Sequence, residues 1–172
     1  LEALGRAARA RMGGRVIAVT GSVGKTGTKE ALRVALSPSG TVHASSKSFN
    51  NHWGVPLTLA NMPRNVVYGV FEIGMNHAGE VDTLTKLVRP HIAIITTIAP
   101  VHIEHLGSIE NIARAKAEIF AGMDANGIAE KLMGDTVFSN VMMLGFAWQK
   151  GLLPLSEAAL MRALELNGVA VD

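Results

Sequence analysis

The heptapeptide Thr20-Gly21-Ser22-Val23-Gly24-Lys25-Thr26 constrains this chain more than any other stretch. It follows a short β-branched run, Val16 to Thr20, and precedes a helix-forming stretch, Thr26 to Leu36. Glycines at such a strand-to-helix junction let the backbone turn so that successive N–H groups converge on an anion, and the helix start adds its dipole. Lys25 then supplies a point charge for the β- and γ-phosphates of a nucleotide, and Thr26 offers a hydroxyl to Mg²⁺. The full Walker spacing asks for glycine where Val19 stands, so the pattern on its own is a shortened G-x-x-G-K-T. Gly21, Ser22, Val23, Gly24, Lys25, Thr26 and Gly27 are the expected phosphate-binding residues, with a coincidental glycine turn as the alternative.

The rest of the first 130 residues alternates strand and helix. Strands are expected at Thr41 to Ala44, Val66 to Ile73 and His91 to Ile98. Helices are expected from Pro56 to Asn61, from Glu80 to Val88, and from Ser108, as N-cap, to about Ala121. That alternation predicts an α/β fold: a mostly parallel sheet of the phosphate-loop type with flanking helices, followed by a two-helix tail. Of the 172 residues 48% are hydrophobic and 5% aromatic, which suits an aliphatic, helix-covered sheet. With no cysteine, thiolate metal sites and disulfides are excluded, and a reducing, cytoplasmic setting is consistent. Sixteen basic against fourteen acidic residues is too even to argue for nucleic acid. No run is long and apolar enough for a bilayer, and Arg6 and Arg9 interrupt any leader. Leu1 in place of methionine reads as the mark of a fragment. Arg6, Arg9, Arg11 and Arg15 read as a solvated linker or helix over residues 1–15, or else as a phosphate-facing arm.

Parallel sheets bind ligands at the carboxyl ends of their strands. Glu72 ends one expected strand and His102 follows another, so both should face the phosphate loop. Glu72 with Thr26 makes an oxygen pair of the kind Mg²⁺ prefers. Asn50 and Asn51 either donate to substrate or phosphate, or close turns. His77 and His105 are expected near the site without a chemical role. His43, His52 and His91 read as strand-end or loop residues, and Trp53 as packing.

The stretch from Val16 to about Ala129 resembles the central ATP-binding domain of the Mur ligases. Thr20 to Thr26 matches that family's shortened loop. Further matches are Asn50-Asn51 with Gly54 to Thr58, and Glu72-Ile73-Gly74-Met75-Asn76-His77 with Gly79-Glu80. Ala99 to Glu104 with Gly107-Ser108, and Ala115 to Phe120, complete the series. Gly27 departs from the family's usual Thr or Ser. The Glu72 to Glu80 motif points to the branch that adds D-alanyl-D-alanine to UDP-N-acetylmuramoyl-tripeptide in peptidoglycan precursor synthesis. The resemblance implies ATP and Mg²⁺ as cofactors, amide formation through an acyl phosphate, and a UDP-sugar peptide and dipeptide as partners. It implies catalytic roles for Lys25, His102 and Lys116. Thr26, Glu72, His102 and Lys116 become the metal set, with Lys116 carbamylated. It also implies that a central domain alone is inactive.

Residues 131–172 resemble instead the C-terminal part of indolepyruvate:ferredoxin oxidoreductases, without any cofactor motif. That gives three expected domains, 1–15, 16–130 and 131–172, and a composite chain joined near Ala129 to Met133. A non-catalytic helical interaction module, or an oxidoreductase subunit fragment, is the rival reading.

Overall fold

The computed structural model describes residues 1–45, 47–101, 103–121 and 156. The chain separates into two units, Leu1–Asp124 and Ala125–Asp172, and of the second only Ser156 is described. The expected two-helix tail over 131–172 and its resemblance therefore lie outside the described residues, as does His102.

The first unit runs α1 (Glu2–Ala10), β1 (Arg15–Thr20), α2 (Lys25–Leu36), β2 (Val42–Ala44) and α3 (Gly54–Ala60). It continues with β3 (Tyr68–Glu72), α4 (Glu80–Val88), β4 (Ile92–Ile95), α5 (Ile103–Leu106) and α6 (Ile109–Ala117). The four strands form one parallel sheet in the order β2-β3-β1-β4. Each crossover carries a helix, as parallel pairing requires. The α/β class and parallel sheet read from the alternating pattern are thus present.

Side-chain alternation divides the sheet into two faces. Val16 and Ala18 of β1 join Phe71 and Ile73 in a core shared with Leu59, Leu84, Val88 and Ile112 of the helices. Ile17, Val19 and Val70 point the other way, against Leu32 and Leu36 of α2. By the same period of two, Glu72 lies on the face of Val70. That is the α2 side, where the phosphate loop begins. The register pairs Val19 with Glu72, so the carboxyl ends of β1 and β3 are level.

Helix ends follow their sequence signals. The Ser108 hydroxyl accepts from the Asn111 N–H at 3.2 Å and starts α6. Arg89 stops α4 in a left-handed conformation, φ 46°, because Pro90 disfavours a helical residue before it. The exposed carbonyls there are covered from α1. Arg9 Nε donates to Val88 O at 2.6 Å and Nη2 to Arg89 O at 2.7 Å. Arg9 is therefore buried rather than part of a solvated basic face, whereas Arg6 pairs with Glu2 in the open. Arg11 also binds inward, to Met62 O at 2.5 Å. These arginines hold helix ends and are not arranged as an arm for phosphate.

Three local expectations differ. The β4 strand stops at Ile95; Thr96 N–H still donates to Thr20 O at 2.9 Å, and Thr96, Thr97 and Ala99 bond to the phosphate loop. Ile103–Leu106 forms a short helix, α5, where the sequence around His105 reads as a loop. Trp53 is 65% exposed and lies beside the His52 ring, so it does not pack in the core.

Candidate functional site

Gly21 and Gly24 shape the phosphate loop. Gly21 has φ 147°, and a Cβ there would come within 2.0 Å of Thr96 Oγ1. Gly24 takes the left-handed conformation, φ 86°, directly before α2. Both positions require glycine for that reason. The first-turn N–H groups of a helix have no intrahelical acceptor, so those of Lys25, Thr26 and Gly27 are available to an anion.

A ledge from the end of β4 fixes the loop. Ser22 N–H donates to Thr97 O at 2.7 Å, and its hydroxyl donates to Ala99 O while accepting from Ala99 N–H, both at 3.0 Å. Thr96 Oγ1 donates to Val23 O at 2.6 Å. Ser22 thus serves the loop's shape through its side chain. Lys25 folds back over the loop, with Nζ 2.8 Å from Gly21 O.

Thr26 and Glu72 meet as the sequence anticipated. Thr26 Oγ1 donates to Glu72 Oε2 at 2.9 Å, and Glu72 is 2% exposed. The second carboxyl oxygen, Oε1, accepts from Asn50 Nδ2 at 2.7 Å. Ser48 Oγ lies 3.1 Å from Thr26 Oγ1 and donates to it, since the threonine proton is already committed to Glu72. Asn50 is further held by the Gly74 N–H, which donates to its carbonyl at 2.7 Å. Three oxygen donors and an amide therefore converge beside the phosphate loop. Oxygen donors of this kind suit a small divalent cation.

Asn51 takes the other of its two expected roles. Its Oδ1 accepts from Trp53 and Gly54 N–H at 3.1 and 2.9 Å, which closes the turn into α3. Lys116 is buried on α6, 2% exposed. Burial and then the nearby Lys25 charge lower its pKa to about 8. A buried cation beside another cation favours the neutral amine. The His77 and His105 rings lie 5.3 Å apart, tilted at 46°, with His77 Nδ1 3.2 Å from Glu80 Oε1. His43 and His91 bond to backbone at Thr58 and Val16. Lys29 and Ser48 were not singled out from sequence. Lys29 lies one turn from Lys25 on the same helix face, a spacing that does not by itself mark it as buried.

A cleft of about 480 Å³ opens next to these groups. Asn51, His52, Gly74, Asn76, Glu80 and Thr83 contribute to its walls. It lies at the carboxyl ends of the strands, where α/β sheets receive ligands.

Comparison with known proteins agrees with this arrangement. Residues 19–145 match the Mur ligase middle domain, a span that passes the expected join near residue 130. The chain is 47% identical over 115 residues to the UDP-N-acetylmuramoyl-tripeptide–D-alanyl-D-alanine ligase of Rickettsia prowazekii, covering 67% of this chain and 26% of that protein. Identity to the Bacillus subtilis ligase of the same name is 44% over 128 residues, 74% of this chain and 28% of that one. The chain thus spans about a quarter of the length of these curated relatives. Among solved structures, MurF from Acinetobacter baumannii superposes with a TM-score of 0.69 at 39% identity, over 71% of this chain and 27% of that one. MurF from Thermotoga maritima, solved in complex with ADP, gives 0.66 at 30% identity over 73% and 30%. With more than half of its residues matched to that domain, the chain belongs to the Mur ligase family.

Proposed function

We propose that this chain is the ATP- and Mg²⁺-binding portion of a ligase that joins D-alanyl-D-alanine to UDP-N-acetylmuramoyl-tripeptide. The observation that carries the reading is the Thr26–Glu72 pair, 2.9 Å apart at the edge of a glycine-shaped phosphate loop. The names of the relatives supply the substrates, and the ADP bound to the Thermotoga maritima protein supports the nucleotide.

Lys25 and the first-turn N–H groups of α2 would bind the phosphates and offset their charge. Thr26 and Glu72 would hold Mg²⁺, which neutralises phosphate oxygens when bound. Asn50 and Ser48 keep Glu72 and Thr26 in place. The 480 Å³ cleft would receive the peptide end of the acceptor, with its carboxylate toward the γ-phosphate. That carboxylate attacks the γ-phosphorus and ADP leaves; the incoming amine then displaces phosphate from the acyl phosphate, forming the amide. Positioning and charge neutralisation are the protein's contribution to such a transfer.

Lys116 is the second element of the proposal. Its lowered pKa leaves a sizeable neutral-amine fraction near neutral pH, the form that adds CO₂ to become a carbamate. As an anion it would join His102 and Glu72 around a second Mg²⁺. A cytoplasmic location accords with this chemistry.

Calorimetry with ATP and Mg²⁺ tests the proposal. The folded chain should bind weakly, and Lys25→Ala should weaken binding by roughly tenfold or more, the loss of one charge-assisted contact. Equal binding by the variant would reject the loop as the nucleotide site.

A further inference from the structure

Lys29 is the largest fully buried side chain in the described fold, at 0% exposure. A buried ammonium is unfavourable unless donors and charge are satisfied. Its acidic partner, Glu30, is a sequence neighbour on α2 at 3.2 Å, and Glu30 is also paired with Arg33 at 2.7 Å. The remaining contacts all go to one place. Lys29 Nζ donates to Ser45 O at 2.8 Å and to Lys47 O at 3.3 Å, with Ser45 Oγ at 3.5 Å. Ser45 Oγ in turn donates to Lys47 O at 2.7 Å.

Ser48 and Asn50 come next in the chain. They are the residues that reach Thr26 and Glu72. Lys29 lies one helical turn beyond Lys25, so the helix that carries the phosphate loop also anchors the segment that orients the carboxylate. We propose that Lys29 is a positioning residue: it gathers the Ser45 and Lys47 carbonyls onto α2 and so fixes Ser48 and Asn50 against the Thr26–Glu72 pair. This rests on the nucleotide reading above, and adds that α2 and the 47–51 segment form one unit.

The test uses the 172-residue chain and Lys29→Met, which keeps most of the buried volume and removes the donors. Amide hydrogen exchange is followed by NMR. The Asn50 and Gly74 amides, bonded to Ser48 O and Asn50 O, should exchange about tenfold faster, the loss of roughly one hydrogen bond's worth of protection. Ile17 and Val19 amides in β1 should not change. Calorimetry with ADP should show metal-free affinity retained and the gain on adding Mg²⁺ reduced about tenfold. Unchanged protection at Asn50 and Gly74 overturns the proposal, as does a uniform rise across the sheet, which marks a general role in stability. Lys29→Gln retains a shorter, uncharged amide donor and should give an intermediate result, which also decides the matter if the methionine variant does not fold. Loss of folding in both variants overturns the positioning role. If wild type binds no ADP, the nucleotide reading fails, while the exchange experiment still judges Lys29.

Discussion

Glu72 is held by two different segments: Thr26 of α2 approaches one carboxyl oxygen at 2.9 Å and Asn50 the other at 2.7 Å. A group so fixed has its geometry set before any cation arrives, which is what a precise metal site needs. Glu72→Gln should keep metal-free ADP affinity within about twofold but lose the gain given by Mg²⁺, roughly tenfold or more for one charged contact. Titrations with and without the metal check this. With CO₂ excluded, so that Lys116 stays an amine, it gives a pH signature. Its value in the folded chain is about 8, against 10.5 when free. Below pH 8 both states hold the proton and the burial penalty is fully present. Between 8 and 10.5 the unfolded chain binds more protons, so stability should rise with pH across that window. Denaturant midpoints of wild type and Lys116→Met should diverge there, with the rise absent from the variant. At this scale the sequence was informative where chemistry and topology coincide. Glu72 was legible because a strand-end carboxylate follows the period-two pattern. Lys29 was not, since a lysine beside a glutamate on a helix reads as a solvated pair until the facing carbonyls are known.

Helices in this fold do more than cover the sheet. The α2 helix starts at the phosphate loop with Gly27 in its first turn, and a Cβ there would meet nothing within 4 Å. Gly27→Ala should therefore stabilise the chain by about 0.5–1 kcal/mol, the usual cost of glycine in a helix. It should leave nucleotide binding intact, because the N–H remains. An upward shift in the urea midpoint at constant slope measures it. The α1 helix reaches α4 through Arg9, whose guanidinium covers the carbonyls of Val88 and Arg89. Arg9→Met should lower stability by about 1.5–3 kcal/mol, the worth of buried hydrogen bonds from a charged donor. The same titration detects that loss. The boundaries of α2 and α4 were readable from glycine and proline signals, and the N-terminus of α6 from Ser108. The end of β4 was not. His91 to Ile98 is the most β-branched run in the sequence, yet Thr96 Oγ1 and Thr97 O bond to Val23 and Ser22 of the loop, a long-range demand that no local pattern carries.

Across the whole first unit, a parallel sheet brings the ends of β1, β3 and β4 to one edge, and each supplies part of the site. From β1 comes the loop, from β3 the carboxylate and from β4 the ledge. The alternation of strands and helices was enough to foresee that edge, because a parallel sheet leaves few other places for a ligand. What it left open was which side chains serve the loop's own shape, as Ser22 does, and which close a turn, as Asn51 does. Those assignments depend on hydrogen bonds between segments distant in sequence. The central claim is that phosphate binds between Gly21 and Gly27, with the metal held by Thr26 and Glu72. Amide chemical-shift mapping with ADP, before and after addition of Mg²⁺, tests it most directly. The account predicts that ADP alone shifts the amides from Gly21 to Gly27, and that Mg²⁺ then moves Thr26, Asn50 and Glu72. Shifts confined to the Asn51–Thr83 cleft, or a metal response that leaves Thr26 and Glu72 unmoved, would contradict it.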